Sequence, residues 1–548
     1  MSDEDIIPGT KRLYDDDGNA LSPHSELKKH GDIVLAPQPT DHPDDPLHWG
    51  LKRKLWHALL LLLITALTGA TTNDSGSAQF QENAELGISY NSFNVGAGVL
   101  FIGIGYWTLL ISPAVWLYGR RIPYLICLCL GVIGGIWFAK GEHTADAIWN
   151  QLFVGASESC SEANVQLSLM DIFFQHQRGA VLGAYMLAIS AGTFLGPLIA
   201  NYIGSSMGWR WIGWFGAIFN GLLAIVCLFG LEETSFDRNA YSIVDGINSA
   251  DLTDETKGDK SPEASNEKAD SQSSKDIDVA PINVENDGPM TRKSYRQRIA
   301  LITLAPNVRG TGFKQYFSRL FHTLRVFTFP AVWFAGLQWG AQDAWLTFYL
   351  TTEDDNWTEV PWSYGSSALG IMNLPCLLGA VIGCAYGGWF SDHFMRWMTK
   401  CNGGIQEAEF RLYLLLPATI LFPIGMLLFG IGSAHEWAWP GVYVGLGFIG
   451  FGWGNAGDLS MGYLEDCYPN MVLEGMVGVA VINNTIGMIF TFGADPWLET
   501  GLLNTWIAIG VLSFVFMATT LPMALYGKAC RRWTSSRYER FLILRDGL

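Results

Sequence analysis

Glu158 and Glu162 stand four residues apart in VGASESCSEANVQLSLM, Val154 to Met170, a stretch otherwise apolar enough to lie in a bilayer. On a helix this spacing puts both carboxylates on one face, about 6 Å apart along the axis. A charge at mid-membrane costs roughly 2.5–3.5 kcal/mol on insertion scales, so acids there face a cavity or a partner and mark ion or substrate paths. Desolvation and mutual repulsion disfavour ionising both groups. At least one is expected to hold a proton near neutral pH, the two titrating as a unit. The chemistry this permits is reversible proton binding in competition with a cation. The plainer alternative is a carboxylate that only holds a neighbouring helix by a hydrogen bond.

The polar stripe continues. Gln166 lies two turns beyond Glu158, and Ser157, Ser161, Asn164 and Ser168 widen the stripe into a wedge. Other apolar segments carry Gln338, Gln342 and Asp343, then Asn455 and Asp458 within GFGWGNAGDLS, then Asn483, Asn484 and Thr485. The first segment ends in TTND, with Asn73 and Asp74 at its rim. Trp333, Trp339, Trp345, Tyr349 and Trp453 could stack on an amine or a flat ring. Each of these aromatics, taken singly, is also an ordinary packing residue.

Something must position these groups. Of 548 residues, 49% are hydrophobic and only 16% charged, well below the quarter usual in soluble domains, and the apolar residues come in long blocks. Twelve segments reach spanning length: 55–72, 93–115, 122–139, 147–170, 180–203, 211–231, 326–351, 367–390, 412–432, 438–463, 474–496 and 502–527. They are too long for barrel strands, and only helices or closed barrels satisfy the backbone in lipid. The expected fold class is an all-α membrane protein of twelve transmembrane helices in two six-helix bundles, 55–231 and 326–527. Residues 1–54 and 528–548 read as cytosolic tails. Residues 232–325 read as a cytosolic linker with a disordered, Ser-rich middle and an amphipathic helix at 313–325.

Lys and Arg set the orientation. Lys52, Arg53, Lys54, Arg120, Arg121, Arg178, Arg396, Lys400, Arg411, Lys528, Arg531, Arg532 and Arg537 fall on one side, against Lys140 and Arg210 on the other. Both termini are therefore expected in the cytosol. Asn356-Trp357-Thr358 is a glycosylation sequon on an expected outer loop. None of the nine Cys falls on an outer loop, which argues against a disulfide framework. The net charge of −17 sits mostly in the N-terminal tail and the linker, so it says little about a ligand. No basic footprint for nucleic acid is present, and no signal peptide precedes the first segment. No Walker loop, metal-ligand cluster or nucleophile elbow is found, which argues against ATP drive, a metal, a cofactor or an enzyme.

Local motifs sharpen the reading. GTFLGPLIAN, Gly192 to Asn201, is similar to the antiporter motif of the major facilitator superfamily, with Gly192, Gly196 and Pro197 in place and Ala200 and Asn201 departing from its last glycines. Small residues four apart also simply let another helix approach closely. SPAVWLYGRRIPYL resembles the family's loop motif through Gly119, Arg120 and Arg121, but Ser112 and Trp116 replace its first Gly and its Asp. Gly388 and Asp392 restore both in the second half, followed by Arg396. MDIFFQHQRG and MGYLEDCYPN place Asp171, Glu465 and Asp466 where the family has acids that meet the loop arginines. HPDDPLHW, GWRWIGWFGAIFNG, LEETSF and NGGIQEAEFRL resemble the fungal drug:proton antiporter branch, in the group with polyamine and histidinol transporters.

The resemblance implies a cavity lined by helices 1, 4, 7 and 10. It implies gates formed by Asp171 with Arg120 or Arg121, and by Asp466 or Glu465 with Arg396 or Arg411. It implies a monomeric, proton-coupled secondary transporter that works by alternating access, by default in the plasma membrane, with a vacuolar address as the alternative. The expected activity is export of cationic or amphipathic organic compounds such as drugs or secondary metabolites. A proton-driven importer of polyamines or related organic cations is the close alternative, and a non-transporting membrane sensor a distant one. The expected partners are protons, a small-molecule substrate and lipid.

Overall fold

The computed structural model describes residues 7–12, 29–30, 33–34, 37, 39–40, 42–236, 293–305, 307–358 and 360–547. The expected disordered middle of the linker and much of the N-terminal tail lie outside these residues. All twelve expected segments are helical. In the first half they are α1 (Leu51–Asn73), α2 (Tyr90–Leu117), α3 (Arg121–Ala139), α4 (Thr144–Cys160, continuing to Ile172), α5 (Arg178–Met207) and α6 (Arg210–Gly230). In the second they are α7 (Pro330–Trp357), α8 (Ser366–Ala385, continuing to Cys401), α9 (Leu416–Ala434), α10 (Trp439–Cys467), α11 (Val472–Phe492) and α12 (Leu502–Ala518). Among the described residues the only strands are two antiparallel pairings of two residues each.

Nine of the described helices are long and apolar enough to cross a membrane by length and composition, or ten if a bent pair counts as one span. The helices outside the nine are α4, α7 and α10. These carry Glu158, Glu162, Asp343 and Asp458. The helices least suited to lipid are thus those whose polar residues need a protein interior.

The halves repeat one another. α2 packs on α4 in the first as α8 packs on α10 in the second, and the halves meet along two seams, α2 with α11 and α5 with α8. Two π-helical turns interrupt the ladder, Ser161–Val165 within α4 and Tyr386–Phe390 at the end of α8. Such a turn inserts one residue and rotates the helix beyond it, and these turns cluster at functional sites.

Several features at the ends go beyond the sequence reading. The expected C-terminal tail, 528–548, is largely helical, part of the helix Thr520–Asp546. The amphipathic helix spans Phe313–Thr323 and meets α7 at an 85° bend just before Pro330, where proline suits the first turn of the new helix. Asn356 lies in the last turn of α7 and not on a loop, because that helix runs on past the apolar block.

The two termini share one face of the molecule, called here the terminal face. Arg531, buried in the C-terminal helix, donates to the Pro8 carbonyl at 2.6 Å and to Thr10 Oγ1 at 3.0 Å. Lys11–Arg12 pairs antiparallel with Ile405–Gln406. The far end of the linker is also fixed there, with the Thr303 N–H donating to the Tyr118 carbonyl at 3.0 Å.

Candidate functional site

A small cavity, ≈ 70 Å³ in water-accessible volume, lies between the halves. Its walls include Glu158 and Glu162 of α4, Thr72 and Asn73 of α1, Asp343 and Trp339 of α7, Trp453 of α10 and Asn484 of α11. Glu162 sits on the π-helical turn and lies within electrostatic reach of both Glu158 and Asp343. Thr72 stands beside Glu158, and Asn483 and Trp453 stand beside Asp343. Among the described residues, no Lys or Arg lines the cavity.

Acids from both halves therefore face one space. Trp339 and Trp453 form an aromatic wall, their ring centroids 4.7 Å apart, with Phe194 of α5 edge-on to Trp453 at 5.7 Å. Such a chamber can take up protons, or a cation held by carboxylates and ring faces.

Other polar residues singled out in the sequence lie elsewhere. Asn164 donates to the Arg120 carbonyl at 2.9 Å, so the π-helical turn places it at the terminal face. Gln166 Nε2 meets Met461 Sδ at 3.3 Å, a contact between the halves. Gln338 donates to Thr519 Oγ1 at 2.8 Å and to the Phe516 carbonyl at 3.0 Å, and Gln342 approaches Met517 Sδ at 3.1 Å. Both thus turn toward the end of α12, away from the cavity. Asn455 and Asp458 are buried beyond the cavity walls, on the side toward the terminal face.

The remaining aromatics also divide. Trp333 is half exposed on the outer surface, while Trp345 packs on Phe490 and Tyr349 on Phe429. Asp74, at the end of α1, has a buried oxygen, and Gly196 on α5 leaves it room.

Charged contacts lie between the cavity and the terminal face, some within one half and some across the seam. Arg120 Nε reaches Asp171 Oδ2 at 3.2 Å. Arg121 takes no part in that pair; its guanidinium turns to the carbonyls of Ile299 and Leu228. Arg411 pairs with Asp466 at 2.9 Å. Among the described residues, Arg396 donates to the Asp392 carbonyl one turn back in its own helix, at 3.0 Å, and pairs with neither Asp466 nor Glu465. Asp392 crosses the seam and accepts from the Ala180 N–H at 3.1 Å. Glu465 is buried within electrostatic reach of Arg178 from the other half.

The sequence reading does not single out Glu233 or Arg178 as site residues. The Glu233 carboxylate accepts from the N–H groups of Arg120 at 2.9 Å and Arg121 at 3.2 Å, which caps α3. Gly119 permits this: it has φ +98°, and a Cβ there would stand 2.5 Å from Glu233 Oε2. The LEETSF string carries that signal without a mechanism attached.

The helix 5 motif works as close packing. A Cβ on Gly192 would stand 2.3 Å from the Ala66 carbonyl oxygen of α1, and one on Gly196 would stand 2.8 Å from Ala70 Cα. Pro197 offers its carbonyl to Ser77 Oγ at 3.2 Å.

The sequence pattern of the Major Facilitator Superfamily matches residues 59–492. The chain is similar to an uncharacterized MFS-type transporter of Schizosaccharomyces pombe, at 52% identity over 99% of this chain and 95% of the relative. It is similar to Protein HOL1 of Saccharomyces cerevisiae at 48% identity, over 99% of this chain and 98% of that one. It is more distantly similar to the MFS antiporter QDR3 of Candida albicans, at 22% identity over 92% of this chain and 81% of the antiporter.

Proposed function

Because the chain belongs to the Major Facilitator Superfamily, and two of the relatives above are named as a transporter and an antiporter, we propose that it is a proton-coupled carrier that exports small organic cations or cationic amphiphiles by alternating access. One observation carries this reading. Glu158 and Glu162 from one half and Asp343 from the other share a cavity that no Lys or Arg lines. A proton on this cluster and a cation in the cavity compete for the same negative charge, which links the two fluxes. The terminal face is cytosolic in this reading, following the Lys and Arg bias, and the protein works as a monomer in the plasma membrane. Arg120–Asp171, Arg411–Asp466 and Asp392 with Ala180 hold the cytosolic gate shut. Gly192, Gly196 and Pro197 support the export direction by their likeness to the antiporter motif.

Purified protein in proteoliposomes tests the reading. An imposed pH gradient should drive movement of at least one member of a panel of amines and cationic drugs, with counter-movement of protons. Transport of the panel that ignores the gradient would reject proton coupling.

A second reading, a proton-driven importer of polyamines, is favoured by the slenderness of the cavity. At ≈ 70 Å³ it is far below the ~300–1,000 Å³ of drug-sized sites, and its acids come from both walls. Radiolabelled spermidine separates the two: faster uptake into cells with the gene supports import, and faster loss from preloaded cells supports export.

A further inference from the structure

Between the cavity and the terminal face lies a buried acid, Asp458, that the transport reading above leaves unused. Asp458, Gly462 and Asp466 follow one another at four-residue spacing along α10. They share a face, each about 6 Å further along the axis. Arg411, from the short helical turn Phe410–Tyr413, lies across that face at Gly462. A Cβ on Gly462 would stand 3.1 Å from both Arg411 Cδ and Nη1 and 3.2 Å from Cζ, so the missing side chain is what lets the guanidinium lie there.

The arginine serves one of its two neighbours. Arg411 Nε and Nη2 both reach Asp466 Oδ2 at 2.9 Å, and Nη1 reaches Ser391 Oγ at 3.3 Å. Asp458, one turn away on the other side, is 1% exposed, and neither carboxylate oxygen has a hydrogen-bond partner among the described residues. Its surroundings are Gly183 of α5 and Gly387 and Gly388 of the π-helical turn in α8. The charged and titratable groups facing it are Arg411, Asp392, Glu465 and Cys384. An ionised carboxylate without hydrogen bonds in such a place is costly, and more so with two acids nearby. A neutral one costs far less.

We propose that Asp458 is a second proton site, distinct from the cavity acids, and that Arg411 is a two-position latch between Asp466 and Asp458 which the proton controls. With Asp458 neutral, Arg411 stays on Asp466 and the terminal face is shut, as in this structure. When Asp458 gives its proton to water on the terminal side, its carboxylate draws Arg411 one turn along α10. The Asp466 pair breaks, and the α5–α8 seam that Asp392 and Gly388 close is freed to part. Proton release is thereby tied to opening of the face through which the proton leaves. The inference rests on the proton-coupled reading above and adds to it where the coupling meets the gate.

The test is made on the full chain in proteoliposomes, with spin labels at Gln177→Cys and the native, exposed Cys401, which belong to opposite halves at the terminal face. Pulsed EPR distances are read from mildly acidic to mildly alkaline pH, beside proton-driven transport of the amine panel. In the otherwise unmodified chain the longer, open distance should gain population as pH rises. Asp458→Asn should lose that dependence and stay closed. Asp466→Asn, which leaves Asp458 as the sole acid partner on that helix face, should populate the open distance at pH values where the unmodified gate is shut. An unchanged pH response in Asp458→Asn, or an unchanged closed population in Asp466→Asn, overturns the proposal. If the unmodified gate ignores pH while transport still follows the proton gradient, the latch alone is refuted. If transport also ignores the gradient, the proton-coupled reading falls with it.

Discussion

Asp392, in the helical extension of α8, accepts a hydrogen bond from the Ala180 N–H at the start of α5, at 3.1 Å. One half of the molecule thus caps a helix of the other, where the helix dipole favours an anion. Gly179 makes room, since a Cβ there would stand 2.1 Å from Asp392 Oδ1. Asp392→Ala should loosen the terminal face by about 1 kcal/mol. The expected result is faster labelling of a Gln177→Cys thiol by a membrane-impermeant maleimide applied from the terminal side. Unchanged labelling would show that the cap does not hold the seam.

Glu158→Gln keeps the side-chain volume and removes the charge from the cavity wall. Expression and thermal stability should stay near those of the unmodified chain, while proton-driven transport falls by at least tenfold. Substrate exchange without a pH gradient, measured in the same vesicles, should fall less. A variant with unaltered proton dependence would make Glu158 a packing residue.

The contact between α1 and α5 depends on Gly192. Gly192→Val would push two methyl groups toward a carbonyl that even a Cβ meets at 2.3 Å. Overpacking of this kind costs about 1–3 kcal/mol. A lower thermal midpoint in detergent is expected, and no change would mean that α1 moves aside easily.

Glu407 governs how the N-terminal segment responds to acid. Burial alone would push its carboxyl up, but hydrogen bonds from Lys528, Arg531 and Thr10 outweigh burial and hold it below the ordinary glutamate value. A lowered folded-state value means that this stabilisation is fully present above the unfolded-state value and is lost as pH falls through the folded one. The loss of thermal stability in acid should therefore be shallower in Glu407→Gln than in the unmodified chain. Parallel stability curves would refute the assignment.

Trp116 stands where the family loop motif has Asp, and two arginines lie against its ring. The Arg120 guanidinium lies 4.6 Å from its ring centroid and that of Arg545, from the C-terminal helix, 5.2 Å. Each such contact is worth about 0.5–1 kcal/mol at an exposed site. Trp116→Ala should speed hydrogen exchange in residues 535–546 without changing exchange in α12. Equal exchange with and without the substitution would mean that the C-terminal helix is held by its other contacts alone.

The twelve helices were legible because length and apolarity are properties of each segment by itself. The charged pairs of the terminal face were legible in part: the sequence offers Arg120 or Arg121 for Asp171 and Arg396 or Arg411 for Asp466, and the choice of Arg120 and Arg411 depends on where each loop turns. The cavity was less legible. Glu158, Glu162, Asp343 and Asn484 line it, whereas Gln338 and Gln342 answer to α12 and Asn164 to the loop after α2. A regular helical period carried through residues 157–168 could not anticipate the π-helical turn at Ser161–Val165, which rotates the rest of α4.

The amino-acid sequence alone determined that the chain is a bundle of membrane helices with acids inside it, because the expense of a charge in lipid is settled residue by residue. Tertiary structure decided which of those acids share a chamber and which stand alone beside an arginine. Helix rotation and close approach are set by glycine contacts and helical interruptions between segments far apart in the chain, and no single segment encodes them.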